Sequence, residues 1–264
     1  MGMCTVALLR RPNQDWPVII GANRDEMGNR RWKPPARHWA DRPDIVAGLD
    51  ELAGGTWMGL NDTGVVVCIL NRHGSLGPAP GKRSRGELVL EALDHANATD
   101  AAEALADLDP LAYRPFNLIV ADNRDAYWLA HRASVPGAWV DRQQIPEGFS
   151  MFTAFDRNDA ADQRIAHYRP LFESQPVPHP DDGDWDSWKR LLGSTEGGSE
   201  ARAMSFQMAS GFGTSSSSLL ALPSPEQAFK KDPKRPVWLF AAGRPESAPF
   251  LPVDMSEGVR APLN

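Results

Sequence analysis

The chain has 264 residues, 42% of them hydrophobic and 23% charged, with a formal net charge of −6. That length can bury a substantial core, and the acidic balance argues against a nucleic-acid partner. No stretch approaches the ~18 apolar residues of a spanning helix, and two cysteines make no disulfide framework, so a cytoplasmic enzyme or binding protein is expected.

Two short apolar runs, residues 5–9 and 16–20, flank the polar break 10–15 and predict a β-hairpin. The first run is too short for a signal peptide, and Arg10-Arg11 follow it on the wrong side. Val6 stands where a myristoylation signal wants Ser or Thr. With the turn centred near Asn13, Cys4 lies opposite Ala22. Asn23, Arg24 and Asp25 then come within about 5–10 Å of the thiol at ordinary strand spacing.

Residues 54–60, the turn Asn61-Asp62-Thr63-Gly64 and residues 65–71 predict a second hairpin. Its second strand is apolar on both faces and should lie mid-sheet. Val66, Cys68 and Leu70 would point to one helix layer, and Val65, Val67 and Ile69 to the other. Cys68 reads as core, and Asn71 closes the run where an amide can face a cleft or form a turn.

Ser84-Arg85-Gly86-Glu87 reads as a capping box opening a helix to about residue 96, with a second short helix over 100–108. Residues 116–122 and 126–130 predict a further hairpin, followed by strand-like pieces at 137–140 and 149–155. A helix is expected near 159–172, a Pro- and Asp-rich loop over 174–184, and a helix over 185–192 stopped by Gly193. A weaker helical stretch at 200–208 precedes strands at 217–222 and 237–242, then an irregular tail over 243–264. Hairpin-built strands with groups of helices predict an α+β fold, a four-layer αββα sandwich of antiparallel sheets, with residues 1–264 as one domain.

A thiol, a guanidinium and a carboxylate converging at a chain start is the layout of an N-terminal-nucleophile hydrolase, in which the terminal amine is the base for its own side chain. Taken singly, Cys4 reads as a small inert hydrophobe, and Asn23-Arg24-Asp25-Glu26 as a strand-end turn with an ion pair. Their pairing across the hairpin favours the chemical reading.

Met3-Cys4-Thr5, Gly21-Ala22-Asn23-Arg24-Asp25-Glu26, Gly54-Gly55-Thr56-Trp57-Met58-Gly59, Leu70-Asn71, Ser84-Arg85-Gly86-Glu87-Leu88 and Phe116-Asn117-Leu118 occur in the order seen in the NRDE family. These are the homologues of transport and Golgi organisation protein 2, and the resemblance spans roughly residues 3–125. More distantly the region is similar to the choloylglycine hydrolase and penicillin V acylase family of N-terminal-nucleophile enzymes. That similarity implies Cys4 as nucleophile, Asp25 holding the amine, Asn71 donating to the oxyanion and Arg24 as a looser counterpart of the acylase Arg. Asn23 and Trp57 are expected to contact substrate. The second half departs from the family: Phe149-Ser150-Met151 stands where Leu-Ser-Asn is usual, and Phe212-Gly213-Thr214-Ser215-Ser216 where Tyr-Gly-Thr-Arg-Ser is usual. An amide and an Arg are thereby missing. Met1-Gly2-Met3 precede Cys4, so the amine is free only in a chain that begins at Cys4.

Two functions compete: an amidohydrolase acting on small-molecule C–N bonds outside peptides, and a non-catalytic carrier of a hydrophobic ligand. The second follows from family relatives implicated in haem movement and membrane organisation; His73, His131 and Met151 are the residues that could meet iron or a porphyrin edge, but no spacing singles them out and the histidines read better as satisfied surface or core residues. A purely structural role is favoured only by the nine tryptophans. No cofactor or metal is expected, since six scattered histidines without Cys-x-x-Cys or His-Glu-x-x-His offer no ligand set.

Overall fold

The computed structural model describes residues 4–200 and 202–256. β1 (Thr5–Arg10) and β2 (Val18–Met27) form the expected hairpin. Their register pairs Thr5 with Asn23, and continuing it sets Cys4 level with Arg24 rather than Ala22. The connection is longer than expected: Trp16 lies outside both strands, buried, with its Nε1 donating to Asp181 at 2.9 Å. A slip of two residues leaves every side chain on its own face, since strand alternation has a period of two.

β3 (Trp32–Ala36), β4 (Ile45–Asp50), β5 (Met58–Asn61) and β6 (Val66–Asn71) follow. Then come α1 (Gly86–Leu93), α2 (Ala98–Ala106), β7 (Phe116–Ala121), β8 (Ala126–His131), β9 (Val140–Gln144) and β10 (Gly148–Phe152). α3 (Gln163–Ser174), α4 (Asp186–Leu192), β11 (Phe212–Leu222), α5 (Pro225–Ala228), β12 (Val237–Ala241) and β13 (Phe250–Pro252) complete the chain. The strands make two antiparallel sheets, β10-β1-β2-β11-β12-β13 and β3-β4-β5-β6-β7-β8-β9.

One apolar core lies between the sheets, around Leu8, Ile20, Cys68, Trp128 and Phe152. A second packs α1 and α2 on the seven-stranded sheet, and a third packs α3 and α4 on the six-stranded sheet. The layers are thus αββα, as expected. Among the described residues no helix is long and apolar enough to cross a membrane.

Several elements differ from their expectation. β6 is mid-sheet, but Val66, Cys68 and Leu70 face the other sheet rather than a helix layer, and only Val65, Val67 and Ile69 face helices. The capping box is not made. Arg85 is the N-cap without a side-chain bond, while Glu87 pairs with Arg83 at 2.6 Å and accepts from Tyr113 at 2.6 Å. Residues 202–208 form turns and a bridge from Gln207 to Gly213 in place of a helix. Within the expected irregular tail, β13 pairs with β12, and residues 257–264 lie outside the described part. β3 was hidden by Pro34 and Pro35. It lies at a sheet edge, where a residue without an N–H is tolerated.

Candidate active site

The sheets part at one end of their shared core and leave a narrow cleft of about 20 Å³, room for about one water. Cys4, Arg24, Trp57 and Ser216 line it, with Met58 and Leu70 as apolar walls. Cys4, half-buried at the head of β1, packs against the inter-sheet core, so its thiol is on the cleft face. The sulfur rests on the main chain of Asp25, accepting from its N–H at 3.4 Å and lying 3.6 Å from its carbonyl oxygen. Burial, followed by the Asp25 charge, pushes the thiol up to about 11, against the opposing pull of the Asp25 N–H and of Arg24. The thiol is therefore protonated near neutrality.

Arg24 shares this face. Its guanidinium stacks 4.3 Å from the centre of the Trp57 ring, donates to Ser215 Oγ at 3.2 Å and lies 3.6 Å from Glu26. Ser215 donates back to the Arg24 carbonyl at 3.0 Å, and it sits at a register shift in β11. Where the family pattern has an Arg, this chain thus has a short hydroxyl that fixes Arg24. Trp57 can lie flat because Gly48 is beneath it: a methyl group at Gly48 would stand 2.3 Å from the ring.

Asp25 points the other way. Its Oδ2 accepts from Arg164 Nη1 at 3.0 Å and its Oδ1 from Thr214 Oγ1 at 2.8 Å, while Arg164 also donates to Thr5 Oγ1 at 2.9 Å. Burial pushes the Asp25 carboxyl up, and Arg164 and Thr214 pull it down. Asn23 is on this side too. Its amide donates to the carbonyls of Leu192 and Met204, each at 2.9 Å, and its Oδ1 accepts from Ser217. With its amide groups committed to protein partners, Asn23 ties β2 to the end of α4.

The expectation of one common cleft therefore divides. Cys4, Arg24 and Trp57 come together, and Asn23 borders the cleft with its side chain engaged elsewhere. Asp25 and Asn71 are not among the lining residues; by alternation from Leu70, Asn71 falls on the helix side of β6. Met151 is fully buried in the helix-facing core of the six-stranded sheet, so an Asn there would not reach the cleft either.

His131 is fully buried beside Phe116 and Tyr113, His73 is exposed against Phe155, and neither borders the cleft. Arg164, Thr214, Ser215 and Ser216 were not singled out as site residues in the sequence. Arg164 reaches Asp25 across 139 positions, and no local pattern marks it, whereas Thr214, 189 positions away, stands at the Thr of the family's Tyr-Gly-Thr-Arg-Ser, a stretch read only for its missing Arg.

The family described as Transport and Golgi organisation 2 matches residues 3–222. No curated protein matches the sequence. Among solved structures, the chain is similar to the Caenorhabditis elegans ortholog of N-acylethanolamine-hydrolyzing acid amidase, with a TM-score of 0.57 at 16% identity over 85% of this chain and 95% of that one. It is similar to penicillin V acylase from Agrobacterium tumefaciens, with a TM-score of 0.52 at 13% identity over 96% and 87%. A mutant of the conjugated bile acid hydrolase from Clostridium perfringens gives 0.53 at 11% identity over 97% and 93%. At these identities the likeness is one of fold.

Proposed function

The chain belongs to the Transport and Golgi organisation 2 family, and on that premise we propose that it is a cysteine N-terminal-nucleophile amidohydrolase acting on C–N bonds outside peptides. The observation that carries this reading is the Cys4 thiol at the head of β1, facing a cleft it shares with the Arg24 guanidinium. The likeness of fold to an acid amidase, an acylase and a conjugated bile acid hydrolase supports it.

In the reaction, Cys4 Sγ attacks the amide carbonyl carbon while its proton passes to the α-amine of Cys4. With the thiol up at about 11 and a free amine near ~8, that transfer is uphill beforehand, so it accompanies C–S bond formation. Arg24 faces the oxyanion that develops. The amine then returns its proton to the leaving nitrogen as the C–N bond breaks, leaving a thioester on Cys4. Water, giving its proton to the same amine, attacks the thioester. The carboxylic acid departs and the thiol is restored. Asp25, bonded to Arg164 and Thr214, is a positioning residue that fixes the backbone on which the sulfur rests. The apolar walls suit an acyl chain.

Protein beginning at Cys4, mixed with octanoyl p-nitroanilide, should release nitroaniline and show an octanoyl adduct on Cys4 by mass spectrometry. Cys4→Ser should lose both signals. Absence of adduct and of product from the Cys4-initiated protein would leave a ligand carrier as the better reading.

A further inference from the structure

Ser216 stands on β11 directly opposite Arg24. Its neighbours fix its direction. Ser217 donates to Asn23 on the helix side, whereas Ser218 accepts from Trp238 Nε1 in the inter-sheet core at 3.2 Å. Thr214 is on the helix side with Asp25, and the register shift at Ser215 turns Ser216 back toward the cleft. Continuing the register of β1 and β2, Cys4, Arg24 and Ser216 form one row across three strands, all on the cleft face.

Ser216 is 1% exposed, lines the cleft, and its Oγ has no hydrogen-bond partner. Every other serine in the run 215–218 has one. Buried hydroxyls are rarely left this way, and one aimed into a cavity is a place where a ligand completes the bonding. The neighbouring Arg24 charge attracts the oxygen lone pairs, which leaves the O–H to be given away.

We propose that the Ser216 hydroxyl is the substrate-binding donor of this cleft, giving its hydrogen bond to the carbonyl oxygen of the amide whose carbon faces Cys4. The role in turnover rests on the amidohydrolase reading, but the role in binding does not. An amide then binds with its carbonyl toward the row and its acyl chain along Met58 and Leu70.

Isothermal titration of octanamide into Cys4→Ala protein reads binding without chemistry. Adding Ser216→Ala to that protein should weaken octanamide about fivefold to tenfold, the scale of one hydrogen bond, and leave the melting temperature unchanged because no internal bond is lost. Equal affinity with and without the hydroxyl, no measurable octanamide binding, or a melting temperature lowered by several degrees would each overturn the assignment. If binding depends on Ser216 while the Cys4-initiated protein turns over no amide, the hydrolase reading falls and this one stands.

Discussion

Cys4 is a thiol in a setting that suppresses its anion. Burial and the Asp25 charge hold it up at about 11, above the 9.0 of an ordinary thiol in the same terms. A raised value means less thiolate at any given pH, about one part in a thousand at pH 8. In protein that retains residues ahead of Cys4, iodoacetamide labelling should therefore rise about tenfold per pH unit from 7 to 10. Levelling off near pH 9 would show an unperturbed thiol. Cys68, fully buried and pushed up to about 12, should label only after unfolding.

Asp25 separates a positioning role from a direct one at the same scale. Its side chain is 0% exposed and that of Arg164 is 2% exposed, with 3.0 Å between them. Asp25→Asn removes a buried carboxylate charge from the Arg164 guanidinium, which costs roughly 3 kcal/mol, or about 8 °C in Tm for a chain this size. Thermal melting checks this, and an unchanged Tm would mean the pair contributes little to folding. In Asp25→Asn protein also carrying Arg164→Met, part of the lost Tm should return, since the buried charge that Asp25 faced is gone.

Among elements, the loop leading into β5 does the most to shape the cleft. Gly55 lies against the start of α1, where a methyl group would stand 2.5 Å from the Gly86 carbonyl carbon, and Thr56 N–H donates to the Gly86 carbonyl at 3.1 Å. The loop and α1 thus hold Trp57 over Gly48 and against Arg24. Gly48→Ala should displace the Trp57 ring, costing about 1–3 kcal/mol of stability through overpacking. It should also loosen Arg24 from its stacking partner, worth roughly 0.5–2 kcal/mol. Urea unfolding measures the first effect, and the fluorescence difference between each protein and its Trp57→Phe variant measures the second. Unaltered values in Gly48→Ala would show that the ring has room to move.

At the scale of the whole molecule, the parts legible in sequence were those that local chemistry writes. The hairpin joining Cys4 to Arg24 was readable because both strands and their turn lie within two dozen residues, and the two-residue slip in register spared the face of each side chain. β6 was readable as an inner strand, yet a run apolar on both sides does not say which face meets a sheet and which meets helices. That left the side of Asn71 open. Arg164 was not legible as a site residue, because it joins the β2 end from a distant element and stands in no local pattern; Ser216 stands at the Ser of the family's Tyr-Gly-Thr-Arg-Ser, but that pattern does not write the register shift that turns it to the cleft. β3 was masked by its prolines, and β13 by a Pro-rich composition that suits an edge strand as well as a coil.

The central claim is that Cys4 acts through its own free amine. One measurement bears on it most directly: hydrolysis of octanoyl p-nitroanilide by protein beginning at Cys4, beside identical protein that keeps Gly2 and Met3. A terminal amine near ~8 can take the thiol's proton, whereas an amide nitrogen at Cys4 has no such basicity. The first protein should turn over the anilide and the second should not. Equal rates in the two, or turnover by neither, would contradict the claim.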